Sequence, residues 1–529
     1  MTSSTPSPEQ IATPAAPAPG PEAPGGMSRQ EVGQALSGLL LGMFVSLLAS
    51  TIVSNALPRI IADLHGSQSV YTWVITAELL SMTAAVPLWG KMADLFSKKV
   101  LVQLSLGLFV CGSLIAGFAP NVEILIASRV LQGIGAGGIN ALAIIVLASM
   151  VPPREMGRYS GLFGAILGVA TVTGPLIGGL LVDTSWLGWR WCFFIAVPLS
   201  LAAIALLQRT LHLPVMRRKV QIDWLGAALI ILGVCTLLIW STLAGDRYPW
   251  LSWQTAVLVT GGLLTLVLAV YVESRVPEPI IPLTLFRIRT MSLATLATAA
   301  VGVIMFGSGV FVSQYLQISQ GRSPTMAGLM ILPMVFGLLL ASTYAGQQIT
   351  RHGRWKPYLV VGAVLMTVGM ALFATIDART SIWPLFGYEL VLGVGVGLLV
   401  QNLVLAVQND VPVRNLGAAT STVSFFRSLG GAVGVNALGA VLAYRVTHQL
   451  GTAAGGHGST RVPKLSELPA PVLAAVQDAY GTATAHMFLI GTPVAAIALL
   501  AIVFIKEKPL HTQSGDQRRA TETAAATPQ

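Results

Sequence analysis

The chain has 529 residues, of which 54% are hydrophobic and only 10% charged, with a mean hydropathy of +0.74. A soluble protein of this size could not hide so much apolar surface from water, so lipid is the expected solvent for most of the chain. The net charge of +10 is scattered between apolar stretches and never gathers on one soluble face, which argues against nucleic acid as a partner.

Crossing a hydrocarbon layer of ~30 Å takes about 20 apolar residues in a helix, because each backbone polar group must be satisfied within its own segment. Such stretches fall at residues 35–55, 71–90, 100–119, 124–149, 159–181, 191–207 and 224–243. Seven more follow at 255–272, 291–316, 326–345, 358–375, 383–403, 418–442 and 487–504. Fourteen spans of an all-α polytopic membrane protein place both termini on one side. With that side taken as the cytoplasm, inner segments hold 21 Lys and Arg and outer segments 8; Arg129 and Arg427, inside spans, complete the 31. That asymmetry predicts cytoplasmic termini. Residues 1–30 and 509–529, rich in Pro, Ala, Ser and Thr, are expected to be disordered cytoplasmic tails. Cys111, Cys192 and Cys235 each fall in an apolar span and suggest buried packing, not a disulfide framework.

In chain order, Thr51-Ile52-Val53-Ser54-Asn55-Ala56-Leu57-Pro58 closes span 1, and a carboxylate, Glu78, stands in span 2. Between spans 2 and 3 lies Gly90-Lys91-Met92-Ala93-Asp94-Leu95-Phe96-Ser97-Lys98-Lys99. Its glycine lets helices approach, Asp94 can meet a cation or a helix N-terminus, and Lys98 and Lys99 anchor at inner headgroups. An ordinary positive-inside loop is the structural alternative. Span 4 carries Arg129-Val130-Leu131-Gln132-Gly133-Ile134-Gly135-Ala136. An arginine inside an apolar span is costly enough to need a partner or a watery cavity, unless it snorkels to the interface. Gly133 to Gly138 also fits a dinucleotide-binding pattern, but no strand precedes it, and helix packing through small residues explains it better. Span 5 holds Gly161 and then Gly174-Pro175-Leu176-Ile177-Gly178-Gly179, a face of small residues with a proline that frees a carbonyl and bends the helix.

The chain also repeats itself. Val151-Pro152-Pro153-Arg154-Glu155-Met156-Gly157 returns as Val411-Pro412-Val413-Arg414-Asn415-Leu416-Gly417, and 411 minus 151 is an offset of 260. The same offset lays Gly133, Gly135 and Gly137 on Gly393, Gly395 and Gly397. The basic turn at 90–99 has its copy at 346–356, with Arg351, Gly353 and Arg354. Each copy lies eight spans on, so spans 1–6 and 9–14 form a parallel repeat, and spans 7 and 8 are an inserted pair. The expected organisation is an N-terminal bundle at 31–210, a linker with two extra helices at 211–280, and a C-terminal bundle at 281–508 with an extracytoplasmic loop at 444–485.

These motifs resemble the major facilitator superfamily. Span 1, the Gly-Pro motif of span 5 and Trp189-Arg190-Trp191-Cys192-Phe193-Phe194-Ile195-Ala196-Val197-Pro198 are similar to its fourteen-helix drug:proton antiporters. The resemblance covers about residues 35–509 and implies a major facilitator fold and export of hydrophobic or cationic drugs in exchange for protons, with antibiotic resistance as the consequence. Gly90, Asp94, Lys98, Lys99, Gly161, Gly174, Pro175, Gly178, Gly179, Arg351, Gly353 and Arg354 would then serve gating. Two departures stand out. Ser97 replaces a usual glycine, and Ala49 stands where many members carry an aspartate. Proton coupling therefore shifts to Glu78 and to Glu389, which is the mate of Arg129 at the offset of 260. A carboxyl group enclosed in an apolar span can take and release a proton near neutral pH. Arg129 and Glu389 are expected to face the central cavity and to influence each other's charge. Gln314, Tyr315, Gln317, Gln401, Asn402, Phe425 and Phe426 are the polar and aromatic residues that could line an adaptable pocket.

The rival classes are an enzyme, a nutrient importer and a dedicated exporter of one endogenous metabolite. No phosphate-binding loop, zinc-protease helix or nucleophile elbow occurs, and the seven histidines are dispersed. The expectation is a monomeric, non-enzymatic transporter in a bacterial cell membrane, with small molecules, protons and lipid as partners and no cofactor or metal.

Overall fold

The computed structural model describes residues 29–64, 68–184, 188–211, 223–244, 248–322, 324–453, 469–513 and 517–518. The first six helices are α1 (Arg29–Asp63), α2 (Gln68–Leu95), α3 (Lys98–Gly117), α4 (Val122–Met150), α5 (Pro153–Asp183) and α6 (Trp191–Phe194 with Ala196–Thr210). The inserted pair is α7 (Trp224–Leu243) and α8 (Trp253–Glu273). The last six are α9 (Arg289–Ile318), α10 (Pro324–Met330 with Leu332–His352), α11 (Lys356–Phe373), α12 (Ile382–Asp410), α13 (Leu416–Ala453) and α14 (Ala470–Val503). Among the described residues thirteen of these are long and apolar enough to cross a membrane. The 31-residue α5 is the fourteenth. An isolated bridge between Ala244 and Tyr248 is the sole β pairing among the described residues.

Prolines explain the two broken helices. Pro198 has no N–H for the carbonyl of Phe194, and Pro333 none for that of Leu329, so each helix divides where that bond is lost. The loop expected at 444–485 is shorter than its span, since α13 runs on to Ala453 and α14 begins at Ala470. Residues 454–468 lie outside the described residues, as do 1–28 and 519–529.

The helices form two bundles with matching packing. In the first, α1 lies against α5 and α6, and α4 against α2 and α3; in the second, α9 lies against α13 and α14, and α12 against α10 and α11. The glycine repeat sets this register. A Cβ at Gly133 would collide with the backbone of Glu78, and one at Gly393 with the backbone of Met334. Gly135 rests likewise on Ser105 and Phe109 of α3, and Gly395 on Gly362 and Met366 of α11. Contact between bundles is made by α2 with α13 and by α5 with α10, which are again mates. The pair α7 and α8 packs mainly on itself, and α7 adheres to α2 and α13. A separate apolar cluster, including Leu80, Val86, Ile230, Val234, Leu238 and Phe425, glues it there. Asn436 adds a 2.7 Å hydrogen bond to Ser241.

Candidate transport and coupling site

The end of the bundles that carries the loops after α2, α4, α10 and α12 is called the basic end below. There the two halves are fastened together. Asp94 closes α2 and accepts hydrogen bonds from the backbone N–H groups of Gly417 and Ala418, both at 2.8 Å, in the first turn of α13. Those are donors that a helix start leaves unsatisfied, and a carboxylate is their natural partner. Gly90, one turn earlier, makes the approach possible, since a Cβ there would run into the Ser421 side chain and the Gly417 carbonyl. Lys91 is buried and pairs with Glu278 at 2.7 Å, tying α2 to the segment behind α8.

The second basic turn works differently. Gly353 has φ +73° and caps α10 in the left-handed region, where its N–H reaches Ile349 O at 2.8 Å. Ser97 has φ −60°, so the first copy needs no glycine, and the departure noted in the sequence has no conformational cost. Arg351 and Arg354 are exposed. Lys99 donates to Gln208 O at 2.8 Å within the first bundle. The segment after α14 turns back beneath both bundles. Glu507 accepts from the N–H groups of Trp355 and Lys356 at 2.8 and 3.1 Å, Lys508 pairs with Asp410, and Arg154 N–H reaches His511 O at 3.4 Å. Burial and then the nearby Arg518 hold the His511 imidazole below its ordinary pKa.

On α5, Gly161 faces Thr343 of α10 and so belongs to the contact between bundles. Gly174 faces Thr51 of α1, inside its own bundle, and Thr51 Oγ1 bonds Ala170 O at 3.2 Å. Gly178 is buried, while the Pro175 and Gly179 side positions lie outside the described residues.

Farther from the basic end lies a buried polar network. Arg129 is 1% exposed and forms an ion pair with Glu78, itself 7% exposed. Arg129 also donates to Gln132 Oε1 at 2.8 Å and to Val74 O at 3.4 Å. Gln132 Nε2 donates to Ser113 Oγ at 2.8 Å, and Ser50 Oγ reaches Glu78 at 3.4 Å. One arginine thus links α1, α2, α3 and α4. Gln132, Ser113 and Ser50 were not foreseen, although Gln132 lies three residues beyond Arg129, on the same helical face.

The expected partner of Arg129 in charge, Glu389, is elsewhere. Its side chain on α12 is fully buried, and neither carboxyl oxygen has a hydrogen-bond partner among the described residues. Neither residue faces an open cavity in this conformation, so the expected arrangement of the pair around one is corrected to two separate buried positions. The residues expected to line a pocket also disperse. Tyr315 is buried with its hydroxyl on Asp377 O at 2.7 Å and Gln320 at 2.9 Å, pinning the loop before α12. Gln314 is half-buried, and Gln317 bonds Ser313 at 3.0 Å. Those three lie near the far end of α9, whereas Gln401 and Asn402 are about 25 Å away in depth, roughly 12–14 Å in from the basic end of α12. Asn402 Nδ2 bonds Leu398 O at 2.7 Å, and Gln401 is half-buried. Phe425 and Phe426 stack edge-on at 5.3 Å and belong to the seam with the inserted pair.

Two pseudosymmetric six-helix bundles, gripped at one end and with a buried charge network inside the first, define a polytopic membrane transporter that can alternate access between its ends. The chain matches the Major Facilitator Superfamily model over residues 39–435, and it belongs to that family. It is 36% identical over 435 residues to the multidrug transporter protein MdtP of Bacillus subtilis, covering 82% of this chain and 78% of that one. It is 29% identical over 499 residues to multidrug resistance protein 3 of the same organism, covering 91% and 97%. The crystal structure of the human organic anion transporter MFSD10 shares the fold, with a TM-score of 0.59 at 14% identity over 88% of this chain and 99% of that one.

Proposed function

We propose that the chain exports hydrophobic small molecules, drugs or other toxic compounds, across a bacterial cell membrane in exchange for protons. The observation that carries the coupling half of this reading is the buried Glu78–Arg129 ion pair, joined to α1 through Ser50. A carboxylate enclosed beside one cation is ionised while the pair holds, and protonation releases Arg129 to its remaining partners Gln132 and Val74. Proton uptake at Glu78 therefore changes how α2 is held against α4, and α2 is also the helix that grips α13 through Asp94. The excess of Lys and Arg supports placing the basic end, and both termini, in the cytoplasm. In that orientation the conformation is sealed towards the cytoplasm. Glu389, enclosed without a donor for either oxygen, is accommodated as the neutral acid and serves as a second proton site.

Export of drugs rests on the relatives, one called a multidrug transporter and the other a multidrug resistance protein. The Gly174-Pro175 stretch in α5 supports the outward vector by its resemblance to exporters. Attraction of a cationic substrate by Glu78 or Glu389 has no free carboxylate behind it in this conformation, since the first is paired and the second enclosed. The decisive experiment is uptake of a compound panel into everted vesicles with and without an imposed pH gradient, using Glu78→Gln, Glu389→Gln and the double variant. Gradient-driven uptake should fall in each single variant and vanish in the double. Unchanged uptake in the double variant would overturn the assignment.

A further inference from the structure

We infer that Arg427 is the anion-recognising group of the transport site, so that the molecules handled best are amphipaths bearing a carboxylate, sulfonate or similar negative group. This rests on the reading of the chain as a small-molecule transporter and adds the charge of its substrate. Arg427 stands on α13, eleven residues from its start at Leu416, which at 1.5 Å per residue is about 16 Å from the basic end and close to the middle of a ~30 Å layer. Its backbone is held against Gly302 of α9. A cation at that depth requires a partner, as Arg129 shows with three. Among the described residues Arg427 has no hydrogen-bond or ion-pair partner: its Nη1 is enclosed and unpartnered, while the side chain as a whole stays partly exposed.

Independent of that charge, unfilled polar atoms collect at the same level. Ser424 Oγ lies one turn towards the basic end on α13. Thr298 Oγ1 lies one turn from Gly302 on α9, with Thr295 Oγ1 a turn below, and Asn402 Oδ1 stands at matching depth on α12. Each is buried and lacks a partner among the described residues, against the rule that buried polar groups are hydrogen-bonded. Except for Asn402 Oδ1, these atoms can donate, and no acidic side chain stands at this level of the three helices, Glu389 being about 32 Å from the basic end of α12 by the same rise. A group with several acceptor oxygens and a negative charge completes the set, whereas a cation would be repelled by Arg427. The mate of Arg427 at the offset of 260 is Leu167, so the charge belongs to the second bundle alone.

The test uses two probes with one ring system, anionic 8-anilinonaphthalene-1-sulfonate and neutral N-phenyl-1-naphthylamine, titrated by fluorescence onto the purified full chain in nanodiscs, with empty nanodiscs subtracted. The wild type should bind the sulfonate more tightly than the amine. Arg427→Gln should weaken the sulfonate about tenfold, the loss of one charge-assisted contact, and leave the amine within about twofold. Arg427→Lys should fall between. Equal sulfonate affinity in wild type and Arg427→Gln overturns the inference, and so does an equal loss of both probes in a variant that elutes as a folded protein. Should Arg427→Gln fail to fold, Ser424→Ala with Thr298→Val replaces it, and an unaltered sulfonate affinity there is equally fatal. Absence of pH-driven movement of either probe in vesicles would sink the export reading while leaving this binding result to stand.

Discussion

The first bundle holds its buried charge in a satisfied network, and the second holds one in an apolar enclosure. Since Gly133 rests on Glu78 and Gly393 on Met334, those two positions are structural mates. The same register relates Ser113 to Met370 and Gln132 to Leu392, all three mates in the second bundle being apolar and buried. Arg129 therefore has an acid, an amide and, through it, a hydroxyl around it, whereas Glu389 occupies the matching place with every polar neighbour replaced. One scaffold thus carries an ion pair in one half and, in the other, an enclosed carboxyl group with no donor among the described residues. On the proposed proton-coupled reading, a proton would act on the two halves in opposite senses: at Glu78 it breaks a pair, and at Glu389 its loss leaves a charge without a donor.

The largest break in this comparison comes from halving the ion pair. Arg129→Gln leaves Glu78 buried beside no cation and should lower stability by about 3–5 kcal/mol, seen in thermal unfolding of the purified protein. The double variant Glu78→Gln with Arg129→Gln should regain most of that loss, because an amide pair needs no compensation of charge. A double variant as unstable as the single one would mean that Arg129 matters for packing and not for charge. Next in size is an attempt to give the second bundle what the first has. Met334→Lys places a cation where Glu389 can meet it, while Met334→Glu places a second acid there. The two should differ by about 2 kcal/mol or more in favour of lysine at neutral pH, and the gap should shrink as pH is lowered and the acids protonate. Equal stabilities would show that positions 334 and 389 do not meet.

Much of the architecture was open to reading because lipid imposes one requirement, a run of about 20 apolar residues, that leaves a strong mark on sequence. The fourteen helices and the repeat followed from it and from the Val151 and Val411 copies. Side-chain partners left no such mark. Glu78, Arg129 and Glu389 could each be singled out as buried ionisable residues, but which of the two acids meets Arg129 depends on the register between helices, set by close contacts such as Gly133 on Glu78. The expected pocket residues do not gather at one place, for a related reason. Helices that are apolar around their whole circumference do not announce which face is inward, so Tyr315 looked like a lining residue and is instead a pin for the loop before α12. The clamp of Asp94 on α13 joins residues more than 300 apart in sequence and was foreseen only in kind, as a carboxylate able to meet a helix N-terminus.

That clamp and its copy give the smaller effects. Asp94→Asn loses the charge and leaves one amide oxygen for two N–H donors, so the grip of α2 on α13 should weaken by about 1–3 kcal/mol. Spin labels at Phe96 and Arg414, both exposed, would report it as a longer population of distances across the basic end in a cysteine-free background. An unchanged distribution would place the grip elsewhere in the α2 and α13 seam. The least costly comparison concerns the two basic turns. Gly353→Ala forces a side chain into φ +73° and should cost about 1 kcal/mol, although nothing within 4 Å would touch the new methyl group. Ser97→Gly should change stability by no more than about 0.5 kcal/mol, and towards lower stability, because at φ −60° glycine relieves no strain and only frees the unfolded chain. Thermal unfolding of the two variants side by side checks both. If Ser97→Gly stabilised the protein, the first turn would be the strained one, and the two halves would be more alike than their backbones indicate.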